Sequence, residues 1–232
     1  MSSTRKKRTD ARASARMRKT ATPRRKAAEL NLRRTPMQAR GQQTFEAILD
    51  ATATLLEQVG GERLTTNLIS QAAQVNVATL YQYFPNKQTV LLELFRRQSD
   101  KLIELSDGKL QGLHQASDWR RVINELIEAI TAVRASTAGT TALRQLMRSS
   151  PDLLAHEQHH SQHLAATLAQ ELRSAGVKRE QAQLVARCAT EALTALLDWW
   201  QLDAGGRDNR ILGEAKAMMA GYLAPHLGRK AR

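Results

Sequence analysis

Apolar residues recur at helical spacing through most of this 232-residue chain. Phe45, Ile48, Leu49, Thr52, Leu55, Leu56 and Val59 share one helical face, and Gly60-Gly61 ends that helix. Leu64-Thr65-Thr66-Asn67 reads as a helix start, because a Thr hydroxyl can accept from free N–H groups in the first turn. Ile69, Ala72 and Ala73 then make a short apolar stripe. Val75-Asn76 forms a turn, with Asn76 a suitable cap for the next helix. Leu91, Leu94, Phe95, Gln98, Leu102 and Leu105 describe a fourth helix.

The most informative stretch lies between these elements, at Thr79-Leu80-Tyr81-Gln82-Tyr83-Phe84-Pro85-Asn86-Lys87. At about 100° per residue, Val77, Leu80 and Phe84 fall on one side of a helix. Ala78, Thr79 and Gln82 fall on the other, with Tyr81 and Tyr83 at the borders. Pro85 and Asn86 end the helix, and Lys87 opens the next. Such a helix has an anchored apolar side and an outer face of small and hydrogen-bonding groups. That face suits the DNA major groove, where amides, hydroxyls and methyls meet base edges.

The string resembles the third helix and turn of the TetR family of transcriptional regulators, whose members often read T-L-Y-x-Y-F-x-x-K. The resemblance covers roughly residues 33–100. One departure stands out: the turn between the second and third helices usually carries glycine, and this chain has Gln74. A turn residue with φ > 0 costs a non-glycine residue free energy, so either the turn is reshaped or Gln74 is strained.

The resemblance implies DNA-contacting roles by position. Thr66 matches a phosphate contact and Asn67 a base contact. Thr79 and Gln82 match base readers, with Gln82 able to pair bidentately with adenine. Tyr81, Tyr83 and Lys87 resemble clamps on the DNA backbone, and Val77 and Ala78 complete the DNA-facing set.

After Ser106-Asp107-Gly108 the pattern stays helical. Trp119, Val122, Ile123, Leu126, Ile127, Ile130 and Val133 form one amphipathic helix, with Ser117 as its expected cap. Gly139 interrupts, and Leu143, Leu146 and Met147 form a short helix. Ser150-Pro151 marks the next start, a cap followed by Pro at the first helical position. That helix runs to about Ser174 and stops near Gly176. Another spans roughly Arg179 to Leu202, and a last one runs from Asp208 to before Pro225. No strand-like alternation or hairpin turn appears, so an all-α fold of about nine helices is expected. It comprises an N-terminal three-helix helix-turn-helix head and a C-terminal helical ligand-binding and dimerisation domain. The expected divisions are a basic arm at 1–36, the head at 37–86, a connector helix at 87–105, a regulatory domain at 106–226 and a basic tail at 227–232.

The last two helices carry more apolar surface than one protomer of this size readily covers. Val185, Ala189, Ala192, Leu193, Leu196, Trp199 and Trp200 lie on one side of the first, with Leu184, Cys188, Ala195 and Leu202 elsewhere on it. The final helix offers Ile211, Leu212, Ala215, Met218, Met219, Tyr222 and Leu223. In the TetR family these two helices pair with their copies in a four-helix dimer interface, which implies a homodimer. Val185, Ala189, Leu193, Leu196, Trp200, Leu212, Ala215, Met219 and Tyr222 are the expected interface. Two reading helices related by a two-fold then stand about 34–36 Å apart and suit a palindromic site on double-stranded DNA. The resemblance also implies a small-molecule effector held by the second domain, with Trp119, Ile123, Ile127, Leu143, Met147, Leu164 and Leu168 as candidate walls. Aromatic residues are only 4% of the chain, which favours an aliphatic pocket over an aromatic cage.

Charge adds a qualification. The net charge is +13, yet residues 1–39 alone hold 13 Lys/Arg against 2 Asp/Glu. Residues 40–105 hold 6 against 7, and residues 106–226 hold 13 of each. The basic charge therefore sits at the two ends. An arm rich in Arg, Lys, Ala, Ser and Thr with almost no large apolar residues is expected to be disordered. It can bind phosphates without sequence preference, serve as a solvated extension, or reflect an upstream start, with Met17 and Met37 as internal alternatives. The first of these gives the rival reading of a sequence-independent architectural DNA-binding protein.

His156, His159, His160 and His163 fall within one helical sector beside Leu153, Leu164, Leu168 and Leu172. Pairs at i and i+4 can chelate a transition metal. A solvated face and a polar rim are the other readings of this group, and a metal-responsive regulator is the corresponding alternative function. No cofactor is expected. No Ser/His/Asp or Cys/His arrangement, Gly-rich phosphate loop or paired-carboxylate motif argues for an enzyme. The single cysteine, Cys188, excludes an intramolecular disulfide. No run of 18 apolar residues spans a membrane, so a cytoplasmic protein is expected.

Overall fold

The computed structural model describes residues 30–202 and 208–227, and among these the chain forms nine α-helices and no strand. They are α1 (Ala39–Arg63), α2 (Thr66–Ala72), α3 (Val77–Tyr83), α4 (Lys87–Leu110), α5 (Trp119–Ser136), α6 (Thr140–Ser149), α7 (Pro151–Ser174), α8 (Arg179–Leu202) and α9 (Asn209–Leu227). A 3-10 turn at Leu113–Gln115 joins α4 to α5. The expected basic arm up to residue 29 and tail from 228 lie outside the described residues, as do the side chains of His159 and His160.

Caps set most of the boundaries. Asn76 Oδ1 accepts from the Ala78 N–H at 2.8 Å and starts α3, as its sequence suggests. Thr65 Oγ1 accepts from Leu68 N and starts α2. α1 breaks at Gly60, whose φ of 71° lies in the left-handed region, and one further turn carries it to Arg63. The cap of α5 is Asp118, which accepts from Arg121 N at 3.1 Å, and not Ser117. Two helices outrun their expected ends. α4 continues through Ser106-Asp107-Gly108 to Leu110, five residues past the expected connector limit of 105. α9 continues through Pro225 to Leu227, because a proline in the last turn removes a single donor there.

Two apolar cores result. The first gathers Ile48, Leu49 and Leu56 of α1, Ile69 of α2, Leu80 of α3, Phe84, and Leu92 and Phe95 of α4. It also takes in Leu143 and Met147 of α6 and Leu153 of α7. The second is built by α4 beyond Leu102 with α5, α7, α8 and α9. The division between cores therefore falls inside α4, and α6 sides with the head. Gly139, just before α6, packs so closely on α1 that a Cβ there would lie 2.5 Å from the Ala53 carbonyl oxygen. Arg97 of α4 ties back to Glu46 and Asp50 of α1 at 2.7 and 2.8 Å.

Candidate nucleic-acid interface

α2 and α3 are each seven residues long and joined by a tight turn. The turn is made by Gln74 at φ 55°, the only positive-φ non-glycine residue among those described. So Gln74 itself takes the left-handed conformation and carries its strain. Buried Leu80 and Phe84 anchor α3, with the Phe84 ring stacked on Phe45 of α1 at 4.8 Å. Ala78, Tyr81 and Gln82 are exposed, and Val77 and Thr79 are half-buried. On α2, Asn67 is exposed and Thr66 half-buried.

The expected backbone clamps divide. The Tyr81 and Thr66 hydroxyls lie 2.9 Å apart at the open side of the α2–α3 pair. Tyr83 differs from expectation: its ring is 8% exposed and packs edge-on against Phe45, so it belongs to the head core. Lys87 also differs. Its ammonium donates to the carbonyls of Leu64 at 3.0 Å and Gly61 at 3.3 Å. These carbonyls close the end of α1, so Lys87 first of all fixes the start of α2 against α4.

Sequence reasoning passed over Arg33. Its N–H donates to the Tyr83 carbonyl at 2.9 Å and its guanidinium to the Tyr81 carbonyl at 3.3 Å. Leu30 and Leu32 pack on the head core beside it. The last residues of the expected 1–36 arm therefore differ from the disordered expectation: Leu30, Leu32 and Arg33 are held against the head at the C-terminal end of α3.

Residues 48–94 match the family described as bacterial regulatory proteins, tetR family, and residues 118–223 match the family described as tetracyclin repressor-like, C-terminal domain. The chain belongs to the TetR family. It is a DNA-binding transcriptional regulator with the helix-turn-helix head and helical C-terminal domain of that family. A TetR-family regulator from Streptomyces coelicolor has a similar fold, with TM-score 0.61 and 24% identity over 79% of this chain and 99% of that one. A putative TetR-family regulator from Mesorhizobium loti follows at TM-score 0.64 and 17% identity, covering 81% and 98%. SmeT, the repressor of the Stenotrophomonas maltophilia multidrug efflux pump SmeDEF, gives TM-score 0.62 and 16% identity, covering 80% and 92%. No curated protein matches the chain significantly.

The TetR-type C-terminal domain encloses a cavity of about 70 Å³, several times the space one water needs. Ile123, Leu164 and Leu168 are among the residues that line it. The other candidate walls are elsewhere. Trp119 and Ile127 are buried in the surrounding core. Leu143 and Met147 lie in the head core, because α6 turns its apolar face to α1. Two charged residues, Arg134 and Arg144, also line the cavity. A signal for Arg134 was present, since it continues the stripe of Ile123, Ile127 and Ile130 at helical spacing.

Arg134, Arg144 and Arg148 all pair with Asp198 of α8, at 3.0, 2.8 and 2.8 Å. Burial, with Arg144 close by, lowers the Arg134 pKa to about 10, so the guanidinium remains charged at neutral pH. Arg134 Nε and Ser106 Oγ are buried and make no hydrogen bond among the described residues.

The expected dimer residues also divide. Val185, Ala189, Trp200, Ala215 and Met219 are buried inside their own protomer, while Leu193, Leu196 and Leu212 are half-buried. Tyr222 is exposed. The open apolar stripe is instead Leu184, Cys188, Ala195, Trp199 and Leu202, joined by Met218 and Tyr222 of α9. The faces meet where Tyr222 stands beside Cys188; burial and the neighbouring thiol push the Tyr222 pKa up. Five of the nine expected interface residues thus face their own protomer, and the exposed apolar surface of α8 includes Leu184, Cys188, Ala195 and Leu202. His163 pairs with Asp107 at 3.1 Å, and no His, Cys, Asp and Glu grouping able to hold a metal occurs among the described residues. No described helix is long and apolar enough to cross a membrane.

Proposed function

We propose that this protein is a homodimeric, ligand-responsive repressor that reads a palindromic operator with α3 in the major groove. The observation that carries the reading is the two-sided construction of α3. Leu80 and Phe84 lock it into the head while Ala78, Tyr81 and Gln82 stay open to a partner. Thr79 and Gln82 are assigned to base edges, and Thr66 with Tyr81 to phosphate. Asn67, at the start of α2, is assigned a base contact at the margin of the site.

The dimer is assigned to the stripe from Leu184 to Leu202 with Met218 and Tyr222. Leu184 is 64% and Trp199 60% exposed, and an apolar face of that continuity on a paired helix calls for a cover. A second copy of the same stripe supplies it with two-fold symmetry, which a palindromic site then mirrors. The repressor role follows the role of SmeT, and regulation rather than catalysis follows the family. Residues 1–29, which precede the anchored Arg33 in the sequence, are assigned to sequence-independent phosphate contacts.

Selection of bound DNA from a random pool, using the full chain, tests this. An inverted repeat with half-sites one helical turn apart is expected. Recovery of sequences with no common motif would instead favour an architectural role for the basic arm.

A further inference from the structure

A cavity wall of leucines can hold any apolar molecule. What distinguishes this one is the charged end. Leu102, Leu126, Ile130, Leu168, Leu193 and Leu197 supply an aliphatic wall without an aromatic ring. Arg134 and Arg144, on α5 and α6, close the cavity on the side facing Asp198.

Burying a guanidinium is costly unless its donors are met and its charge balanced. Here three guanidiniums share the carboxylate of Asp198. The most enclosed of them, Arg134, is only 6% exposed and its Nε proton has no acceptor among the described residues. Ser106 adds a buried hydroxyl on the same cavity that also has no hydrogen-bond partner among the described residues. An unmet donor, a shared counter-ion and an aliphatic chamber belong together if an anion completes the set.

We propose that the cavity binds an aliphatic carboxylate, its tail among the leucines and its carboxylate on Arg134 and Arg144. This rests on the ligand-responsive reading above and names the class of ligand. A guanidinium presents donors in a fork that matches a carboxylate, and such charge-assisted bonds are the strong ones. A neutral or cationic molecule with the same tail gains nothing from that fork.

The site also reaches the head. Arg144 lies on α6 between Leu143 and Met147, which are both fully buried in the head core. A carboxylate that takes over part of the Arg144 guanidinium from Asp198 alters how α8 holds α6. Because α6 packs on α1, the two-helix reader of the same head changes its setting. A ligand shifts such an equilibrium only by its differential affinity for the two arrangements, and the exchange of Asp198 for a ligand carboxylate supplies that difference.

The test is calorimetric titration of the DNA-free full chain with octanoate, octanol and octylamine at matched ionic strength. Octanoate is expected to bind once per protomer, and at least about tenfold more tightly than either other probe. Arg144→Gln should abolish that preference. Because this variant also loosens Asp198, Ala189→Leu is the second probe: it fills the cavity wall without touching a charge, and should weaken octanoate about tenfold or more with unchanged helicity. Equal binding of octanol, no octanoate binding, or octanoate binding indifferent to both substitutions would overturn the proposal, the last by placing the anion elsewhere, such as on the basic arm. An operator that is selected and bound without any octanoate binding would overturn this inference alone. Octanoate binding without DNA binding would overturn the DNA-reading function and leave the cavity assignment standing.

Discussion

The hydroxyls of Thr66 and Tyr81, 2.9 Å apart, join the first turn of α2 to the exposed flank of α3. Each hydroxyl carries one proton and two acceptor positions, so the pair spends one proton on itself and keeps the other for a partner. The two residues therefore approach a phosphate as a unit. Tyr81→Phe is expected to weaken operator binding by roughly 1–2 kcal/mol. Thr66→Val should cost a similar amount alone but much less when added to Tyr81→Phe. Fluorescence anisotropy on the four proteins of this cycle measures the coupling, and strictly additive losses would show that the two act separately.

Gln82 and Lys87 should fail in different ways. Gln82 is exposed on the outer face of α3, so Gln82→Ala is expected to relax the preference at one base pair of each half-site by about 1–3 kcal/mol. Lys87 holds the Gly61 and Leu64 carbonyls, and its substitution disturbs the platform on which both α2 and α3 stand. Lys87→Met is therefore expected to lower the melting temperature and weaken all DNA sequences alike. Parallel thermal denaturation and binding to a panel of operator variants separate the two outcomes. A change of sequence preference in Lys87→Met at full stability would instead make that ammonium a direct DNA contact.

Gln74 holds a left-handed turn at φ 55° that glycine occupies without a Cβ penalty. That penalty for an L-residue is roughly 1–2 kcal/mol, partly offset by the greater unfolded-state freedom of glycine. Gln74→Gly should therefore stabilise the head by up to about 1 kcal/mol, seen as a higher melting temperature. A fall in stability would mean that the Gln74 side chain contributes more than its backbone costs.

These residues also explain how much of the molecule was legible in its sequence. The helices, the Asn76 cap and the anchored side of α3 were readable, since each depends on local periodicity and short-range hydrogen bonds. Gln74 was readable because a left-handed turn makes a demand on one residue. The role of Lys87 was not, because its acceptors lie at the end of α1 and just past it, more than twenty positions back in the chain. The burial of Tyr83 was hidden for a related reason: a border position on a wheel does not reveal that Phe45 stands opposite it. The same limit hid which side of α8 faces its own protomer, and also the Arg134–Asp198 pair, which joins residues 64 positions apart. Periodicity identifies an apolar face but not which neighbour covers it.

Gly139 sits where the head and the C-terminal domain meet, and its substitution tests how firmly α6 is seated on α1. Its φ of 68° is left-handed, and a Cβ would lie 2.5 Å from the Ala53 carbonyl oxygen of α1. Both terms oppose alanine: the backbone conformation costs roughly 1–2 kcal/mol, and an overpacked contact with backbone adds a comparable amount. Gly139→Ala is therefore expected to destabilise the protein by about 2 kcal/mol or more. Gly213 provides the opposite sign, since it is inside α9 and nothing lies within 4 Å of its would-be Cβ. Gly213→Ala should stabilise by roughly 0.5–1 kcal/mol, as alanine does in an open helical position. Urea denaturation of both variants at one protein concentration checks the pair. If Gly139→Ala were tolerated as well as Gly213→Ala, α6 would be free to move off α1, and the link from cavity to head would have to run through α4 alone.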